Sequence, residues 1–103
     1  MDTQPKLEIL DNKDAKRYET RVGEALAVVE YHLAANVIIL NHTEVPQSLE
    51  GQGVGSVLIK FVLDDARANQ YSVVPMCPFV AVYIRRHQEY RDLVPERFLY
   101  MVS

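Results

Sequence analysis

Three alternating glycines, Gly51, Gly53 and Gly55, precede a stretch in which apolar residues fall at helical spacing. Glycine permits tight turns and lets a ligand oxygen approach the main chain closely. The first turn of a helix offers main-chain N–H groups that lack intrahelical partners, together with a partial positive charge. We therefore predict an anion site suited to a diphosphate at this helix start. Its expected ligands are the main-chain amides of Gly51, Gln52, Gly53, Val54, Gly55 and Ser56.

Glycine spacing alone leaves the nature of this loop open. A Walker A loop requires Gly-Lys-Ser/Thr, and no lysine precedes Ser56. A dinucleotide-binding loop requires Gly-x-Gly-x-x-Gly after an early parallel strand, whereas the spacing here is Gly-x-Gly-x-Gly. A glycine-rich turn that binds no ligand is the remaining alternative.

The second candidate for chemistry is Cys77, the one cysteine of the chain, which stands directly before Pro78. Proline suits the first position of a helix because its missing N–H costs nothing there. A thiol beside a helix start lies near the positive end of the helix, which favours the reactive thiolate. The alternative is a buried, unreactive cysteine, which is the usual state of a lone one.

His42 and Glu44 lie two residues apart in a predicted strand, so their side chains share one face of it. Glu44 is a candidate general base for an amine, directly or through a water molecule. Its alternative is a solvated carboxylate at a strand end. His42 either assists Glu44 or is a packed, hydrogen-bonded histidine.

The elements that position these residues follow from the apolar pattern. Segments rich in apolar and β-branched residues predict strands at 6–10, 17–22, 25–33, 37–45 and 72–76. The polar turn 11–14 ends the first strand, and short turns join the three strands between residues 17 and 45 into an antiparallel meander. The last two strands flank a helix, so they belong to a βαβ unit and are parallel.

Two helices are predicted. The first carries apolar residues at i, i+3, i+4, i+7 and i+8 from Val54 and ends near Asn69, where asparagine takes a left-handed cap. The second begins at Cys77-Pro78 and places Arg85, Arg86 and His87 in its last turn, where cations are favourable. The predicted fold class is α+β, in a single domain over residues 1–103.

Composition narrows the function classes. The net charge of −3 is unlike the basic face of a nucleic-acid binder, and one cysteine with three scattered histidines predicts neither a disulfide nor a metal site. The opening residues do not have the pattern of a signal peptide, and no apolar run approaches the roughly 20 residues that cross a bilayer. We therefore expect a cytoplasmic protein without a membrane or nucleic-acid partner, as a monomer or weak dimer.

The glycine loop resembles the coenzyme A pyrophosphate loop of GNAT acyltransferases, commonly Arg/Gln-x-x-Gly-x-Gly/Ala. Gly53 and Gly55 match its glycines, and Glu50 replaces the usual first residue. The chain is most similar to a compact branch of GNAT-like N-acetyltransferase domains, and the resemblance spans roughly residues 6 to 95. The matching segments are His42-Thr43-Glu44-Val45-Pro46, Cys77-Pro78-Phe79, Tyr83-Ile84, His87 and Glu89-Tyr90, with Gln88 where proline is common.

This resemblance implies a compact GNAT-like fold and an acetyl-CoA-dependent N-acyltransferase that acts on an amine acceptor. The pantetheine arm of coenzyme A would lie between the two parallel strands where they splay apart. His42, Glu44 and Cys77 would then cluster at the thioester. Cys77 would either accept the acetyl group or contact the coenzyme sulfur, with Glu44 or His42 as the base. The alternative function is a non-catalytic acyl-CoA-binding module that serves as a sensor or partner subunit.

The resemblance also extends the set of binding residues. The main-chain N–H near Val45 would stabilise the developing oxyanion. Pro78 and Tyr83 would border the coenzyme, and Tyr83 either protonates the leaving thiolate or packs in the core. Arg85, Arg86 and His87 would either contact the 3′-phosphate of coenzyme A or act only as a helix cap.

Overall fold

Four consecutive strands form an antiparallel meander, and a fifth strand joins its end in parallel, in the order β1-β2-β3-β4-β5. The computed structural model describes residues 6–103. The strands are β1 (Ile9–Asn12), β2 (Arg17–Val22), β3 (Ala25–Ala34), β4 (Val37–Glu44) and β5 (Ser72–Pro75). The helices are α1 (Val54–Ala68) and α2 (Pro78–Arg86), with shorter 3₁₀ segments at Gln47–Leu49, Gln88–Leu93 and Glu96–Val102.

Helix α1 covers one face of the sheet because its apolar residues form a single stripe. Leu58, Val62 and Leu63 are fully buried on this stripe. The hydroxyl of Tyr18, on β2, donates a hydrogen bond to Asp65 on α1, which identifies the sheet face that the helix covers. Helix α2 lies beside α1, and its buried residues belong to the same apolar core. The α+β class, the meander and the parallel βαβ unit are therefore confirmed.

Two local predictions were wrong. Strand β1 begins at Ile9 and continues to Asn12, which pairs with Arg17, so the turn lies after Asn12 and not before it. Asn69 does not take the left-handed conformation at the end of α1, since its φ is −90°. Gln70 takes it instead, with a φ of 61°. Asn12 stays in the strand through its pairing with Arg17, and Asn69 caps α1 with its main-chain N–H donating to the Asp65 carbonyl at 3.0 Å.

The prediction of a single domain over residues 1–103 includes five residues that lie outside the described part of the chain, and it stays a prediction. Within residues 6–103, neither α1 nor α2 combines the length and the apolar character that a membrane-spanning helix needs.

Candidate active site

The parallel strands β4 and β5 pair for only four residues and then separate. The last paired residues are Leu40 and Pro75, while β4 continues to Glu44. After Pro75 the chain bends, and the main-chain N–H of Cys77 donates to the Leu40 carbonyl at 2.9 Å. A notch therefore opens between the carboxyl ends of the two strands, which is where open α/β units bind ligands.

A β-bulge in β4 decides which side chains face the helices at this notch. Leu40 pairs with Tyr31, but His42 pairs with Glu30, so Asn41 is an extra residue in the ladder. Directly opposed residues of antiparallel strands share a face. Thr43, which lies opposite the fully buried Val29, therefore points to the helix side of the sheet.

Cys77 occupies the helix side of the notch with Thr43. Its thiol donates a hydrogen bond to the Thr43 hydroxyl, with Sγ 3.4 Å from Oγ1, and the residue is 6% exposed. Cys77 also forms the N-terminal cap of α2, and Pro78 is at the first helical position, as the sequence predicts. Sequence reasoning missed Thr43 because a threonine in a strand carries no signal that a bulge will turn it toward a cysteine.

His42 and Glu44 lie on the opposite face of β4 from Thr43. The His42 Nε2 atom is 3.6 Å from a Glu44 carboxylate oxygen, and the two side chains are 56% and 68% exposed. The expectation that both side chains cluster with Cys77 was wrong for this reason, since the bulge turns them to the open face of the sheet. Their expected sharing of one strand face is confirmed by their contact, and their catalytic roles stay predictions.

The glycine loop has the backbone geometry of a helix-start anion site. Gly51 and Gly53 have φ values of 81° and 77°, in the left-handed region where other residues are strained. The Val57 N–H donates to the Gly53 carbonyl at 3.1 Å, which is the first hydrogen bond of α1. The amides of the preceding helical residues, Val54 to Ser56, therefore have no partner within the helix. Gly53 caps this helix without a side-chain hydrogen bond.

The side chain of Gln52 is held away from this helix start. Its Nε2 atom donates to the Ser48 carbonyl at 3.0 Å, and its main-chain N–H donates to Leu49 at 3.3 Å. These bonds fix the loop between the 3₁₀ turn and α1. Both the side-chain amide and the main-chain N–H of Gln52 are therefore engaged within the loop and are not free to bind a ligand.

Two cavities meet at the loop. The loop cavity, of about 440 Å³, is lined by residues of the notch and the loop, including Thr43, Val45, Gly51, Gly53, Ser56 and Phe79. The α2 cavity, of about 400 Å³, runs along α2 and is lined by Ser56, Pro78, Phe79, Val82, Tyr83, Arg86 and His87. The two cavities share Ser56 and Phe79 in their linings, and we refer to them together as the groove.

Tyr83 and His87 form one wall of the α2 cavity. Their rings stack with centroids 3.9 Å apart, and the His87 Nδ1 atom lies 2.8 Å from the Tyr83 carbonyl oxygen. Burial raises the pKa of the Tyr83 hydroxyl, nearby Lys60 opposes this shift, and Glu89 adds to it. The phenol therefore stays protonated at neutral pH. Tyr83 is largely buried in the core, as the packing alternative requires, and it also lines the cavity.

The arginines at the end of α2 differ in position. Arg86 lines the α2 cavity, whereas Arg85 donates to the Met101 carbonyl at 3.3 Å. The guanidinium of Arg86 is thus the cation placed beside the groove.

A larger cavity, of about 500 Å³, lies near the C-terminal end of α1, beside Asp65 and Asn69. It is lined by two buried tyrosines whose hydroxyls both donate to carboxylates, Tyr18 to Asp65 and Tyr31 to Asp11. The hydroxyl and carboxylate groups of this cavity are thus hydrogen-bonded to one another. The glycine loop lies at the other end of α1. We therefore place the candidate active site at the notch, although this other cavity is more spacious.

Comparison with known families decides the class of the protein. Residues 17–93, which are more than half of the chain, match the family model of the GCN5-related N-acetyl-transferases. The chain belongs to this family. The match covers strands β2 to β5, the glycine loop, both helices and Cys77, and it confirms both the resemblance to GNAT proteins and the compact GNAT-like fold. GNAT proteins are acyltransferases, so the family supports acyl transfer as the class of reaction. A comparison with curated proteins gave no match.

Proposed function

We propose that this GNAT protein transfers an acetyl group from acetyl-CoA to an amine acceptor. The observation that carries the proposal is the joining of the loop and the notch in one cavity. The amides of Val54 to Ser56 lack helical partners, and the same cavity is lined by Thr43, the partner of Cys77. An anion bound at the loop would thus lie next to a buried, polar pair at which a thioester fits.

The residues present fit coenzyme A along the whole groove. The helix-start amides would bind the diphosphate, since they supply donors and a partial positive charge. The notch beyond Leu40 and Pro75, where ladder pairing ends, would take the pantetheine arm. The apolar wall of the α2 cavity suits the adenosine, and Arg86 is placed for its 3′-phosphate.

The transfer exchanges one bond for another. The acceptor nitrogen bonds to the acetyl carbonyl carbon, the carbon–sulfur bond breaks, and the coenzyme leaves as the thiol after taking up the proton that the amine loses. Glu44, with His42 beside it, would accept the amine proton from the open face of β4. The Val45 N–H, just past the strand end, would stabilise the carbonyl oxygen.

For Cys77 we favour a contact with the acetyl group or the coenzyme sulfur over a covalent relay. The thiol already donates to the Thr43 hydroxyl at 3.4 Å, and the candidate base Glu44 lies on the opposite strand face. A nucleophilic cysteine needs a base or a lowered pKa to form the thiolate. Direct attack by the acceptor amine, with Glu44 accepting its proton, therefore needs fewer groups than a relay through Cys77. Tyr83 would border the coenzyme and donate a proton to the leaving sulfur, and the proton that Glu44 takes from the amine would restore the phenol.

A non-catalytic acyl-CoA-binding module is the second candidate, and one observation favours it. His42 and Glu44 line neither the loop cavity nor the α2 cavity, so the groove that suits the coenzyme lacks the candidate base. An acceptor would have to approach over the open face of the sheet. A sensor or partner subunit would need only the groove.

Calorimetric titration with coenzyme A and an acetyl-transfer assay over a panel of amines separate these functions. The panel should contain a lysine peptide, a polyamine and an arylamine, and the assay should follow release of the free thiol. We expect micromolar binding of coenzyme A and release of thiol that depends on one amine class. Binding without turnover on any amine would support the module, and the absence of binding would overturn both proposals.

A further inference from the structure

Phe79 places its ring where the side chain of residue 55 would otherwise be. A Cβ atom added to Gly55 would lie 2.6 Å from the Phe79 Cζ atom, 3.3 Å from Cε1 and 3.4 Å from a methyl carbon of Val45. Phe79 is nevertheless 45% exposed, which is unusual for a large apolar side chain. The ring therefore packs against the Gly55 backbone at the surface of the groove.

The backbone itself does not require glycine at position 55. Gly51 and Gly53 have positive φ values, whereas Gly55 lies within α1 and has none. A glycine inside a helix lowers helix stability by roughly 0.5–1 kcal/mol relative to alanine. The observation that explains Gly55 is the Phe79 ring, since any larger residue would occupy the same space.

The Phe79 ring lies where the two cavities of the groove adjoin. Ser56 and Phe79 line both the loop cavity and the α2 cavity, and they lie on facing helices. A ligand confined to the loop cavity can leave the ring in place. A ligand that fills both cavities must pass between Ser56 and the helix that carries Phe79.

We propose that Phe79 is a specificity-determining residue, whose ring on Gly55 closes the way between the two cavities until a long ligand displaces it. This inference rests on the proposed function. It adds that the Phe79 ring distinguishes ligands that have the nucleotide end of coenzyme A from ligands that lack it. Binding of the nucleotide end requires the displaced ring, whereas binding of the phosphopantetheine end does not. The apparent affinity for the whole coenzyme is thus lowered by the small fraction of the protein in which the ring is displaced.

Gly55→Ala displaces the ring without threatening the fold. The clashing atom is the far end of a half-exposed side chain, and alanine favours the helix. Phe79→Ala removes the ring altogether. Phe61→Ala is the matched control, because Phe61 is a 41% exposed aromatic residue of α1 that lines neither cavity.

The measurement is the ratio of the dissociation constants of 4′-phosphopantetheine and coenzyme A by calorimetry. A methyl group at position 55 lies beside the loop phosphate of both ligands, and Phe79→Ala, which leaves the loop unchanged, gives the same comparison without that effect. We expect Gly55→Ala and Phe79→Ala each to raise the ratio about fivefold in favour of coenzyme A, since each removes the closed state. The double variant should show no further change, and Phe61→Ala should leave the ratio as in the wild type. An unchanged or lowered ratio in either single variant, or additive effects in the double variant, overturns the inference.

A nuclear Overhauser contact between the Gly55 α-protons and the Phe79 ring gives a second readout. We expect it in the free protein, unchanged with 4′-phosphopantetheine and lost with coenzyme A. Persistence of the contact with bound coenzyme A overturns this inference and leaves the proposed function standing. Failure of the wild type to bind coenzyme A overturns both.

Discussion

The Cys77 thiol donates a hydrogen bond to the Thr43 hydroxyl across the opening between β4 and β5, with the two atoms 3.4 Å apart. Both residues lie just beyond the last ladder pair of the two strands. The bond therefore spans the point at which the sheet opens, and it defines the inner end of the groove.

Cys77→Ala tests the role of the thiol. We expect kcat to stay within about tenfold of the wild type, because the acceptor amine attacks without a covalent relay. A relay would instead lose activity on the order of 10³-fold or more. Steady-state kinetics with the best amine gives the answer, and Thr43→Val, which removes the hydrogen-bond partner but keeps the shape, is the companion variant. Isolation of an acetylated Cys77 that forms at the rate of turnover would contradict the expectation.

Glu44→Gln tests the proposed base. We expect kcat to fall by about 10²–10⁴-fold while the KM for acetyl-CoA stays unchanged, since a general base acts on the amine and not on the coenzyme. The matched control is Glu30→Gln, because Glu30 is also exposed and lies opposite His42 on β3. Equal losses in the two variants would show that only the negative charge of this face matters.

Gly51→Ala tests the conformation of the loop. Gly51 has a φ of 81° and no neighbouring atom where a Cβ would lie, so alanine adds backbone strain of about 1 kcal/mol or more without a clash. We expect coenzyme A to bind several-fold more weakly. Gly23→Ala is the control, since Gly23 has a φ of 61° and equally open space but lies in the β2–β3 turn. Both variants should lose similar stability to urea, and equal loss of affinity in both would argue against a loop site.

The buried tyrosine pairs predict how stability depends on pH. Burial, with the hydrogen bond to Asp65, raises the pKa of Tyr18, and burial with Asp11 does the same for Tyr31. A pKa that is raised on folding stabilises the protein below the unfolded pKa of about 10, and this contribution is lost as the pH rises above it. We expect the urea midpoint to fall above about pH 10.

Tyr31→Phe should flatten this alkaline fall, at a cost of roughly 1 kcal/mol at neutral pH for the lost hydrogen bond. Tyr100→Phe is the control because Tyr100 is 72% exposed. The urea midpoint should be measured between pH 7 and 11, with tyrosinate absorbance as a second signal. A curve for Tyr31→Phe that is parallel to the wild type would contradict the assignment.

Much of the fold could be predicted from the sequence because its signals are local. The apolar spacing of α1 and the β-branched run of β4 gave elements whose limits agree within a residue or so. Pro78 marked the start of α2 correctly. The end of β1 was missed because Asp11 and Asn12 have turn-forming side chains, yet Asp11 is held in the strand by the Tyr31 hydroxyl at 2.6 Å. That partner is 20 residues away and has no local signal.

The candidate site was less predictable than the fold. The glycine loop and Cys77 were identified by residue type. Thr43, the partner of Cys77, was missed because its orientation depends on a β-bulge that has no sequence signal. The reason for a glycine at position 55 could not be predicted either, because the sequence does not show that the Phe79 ring of α2 packs against it. Contacts between distant segments were therefore the missing information in both cases.

The extra residue at Asn41 makes the length of β4 a determinant of chemistry. Side chains alternate with a period of two, so the loss of one residue moves all those beyond it to the other face. A chain shortened at Asn41 would present the imidazole and carboxylate of His42 and Glu44 to the cysteine, and would turn the threonine out to solvent. Two proteins with the same amino acids around the notch, differing by one deletion, would thus be expected to hold different groups beside the same thiol.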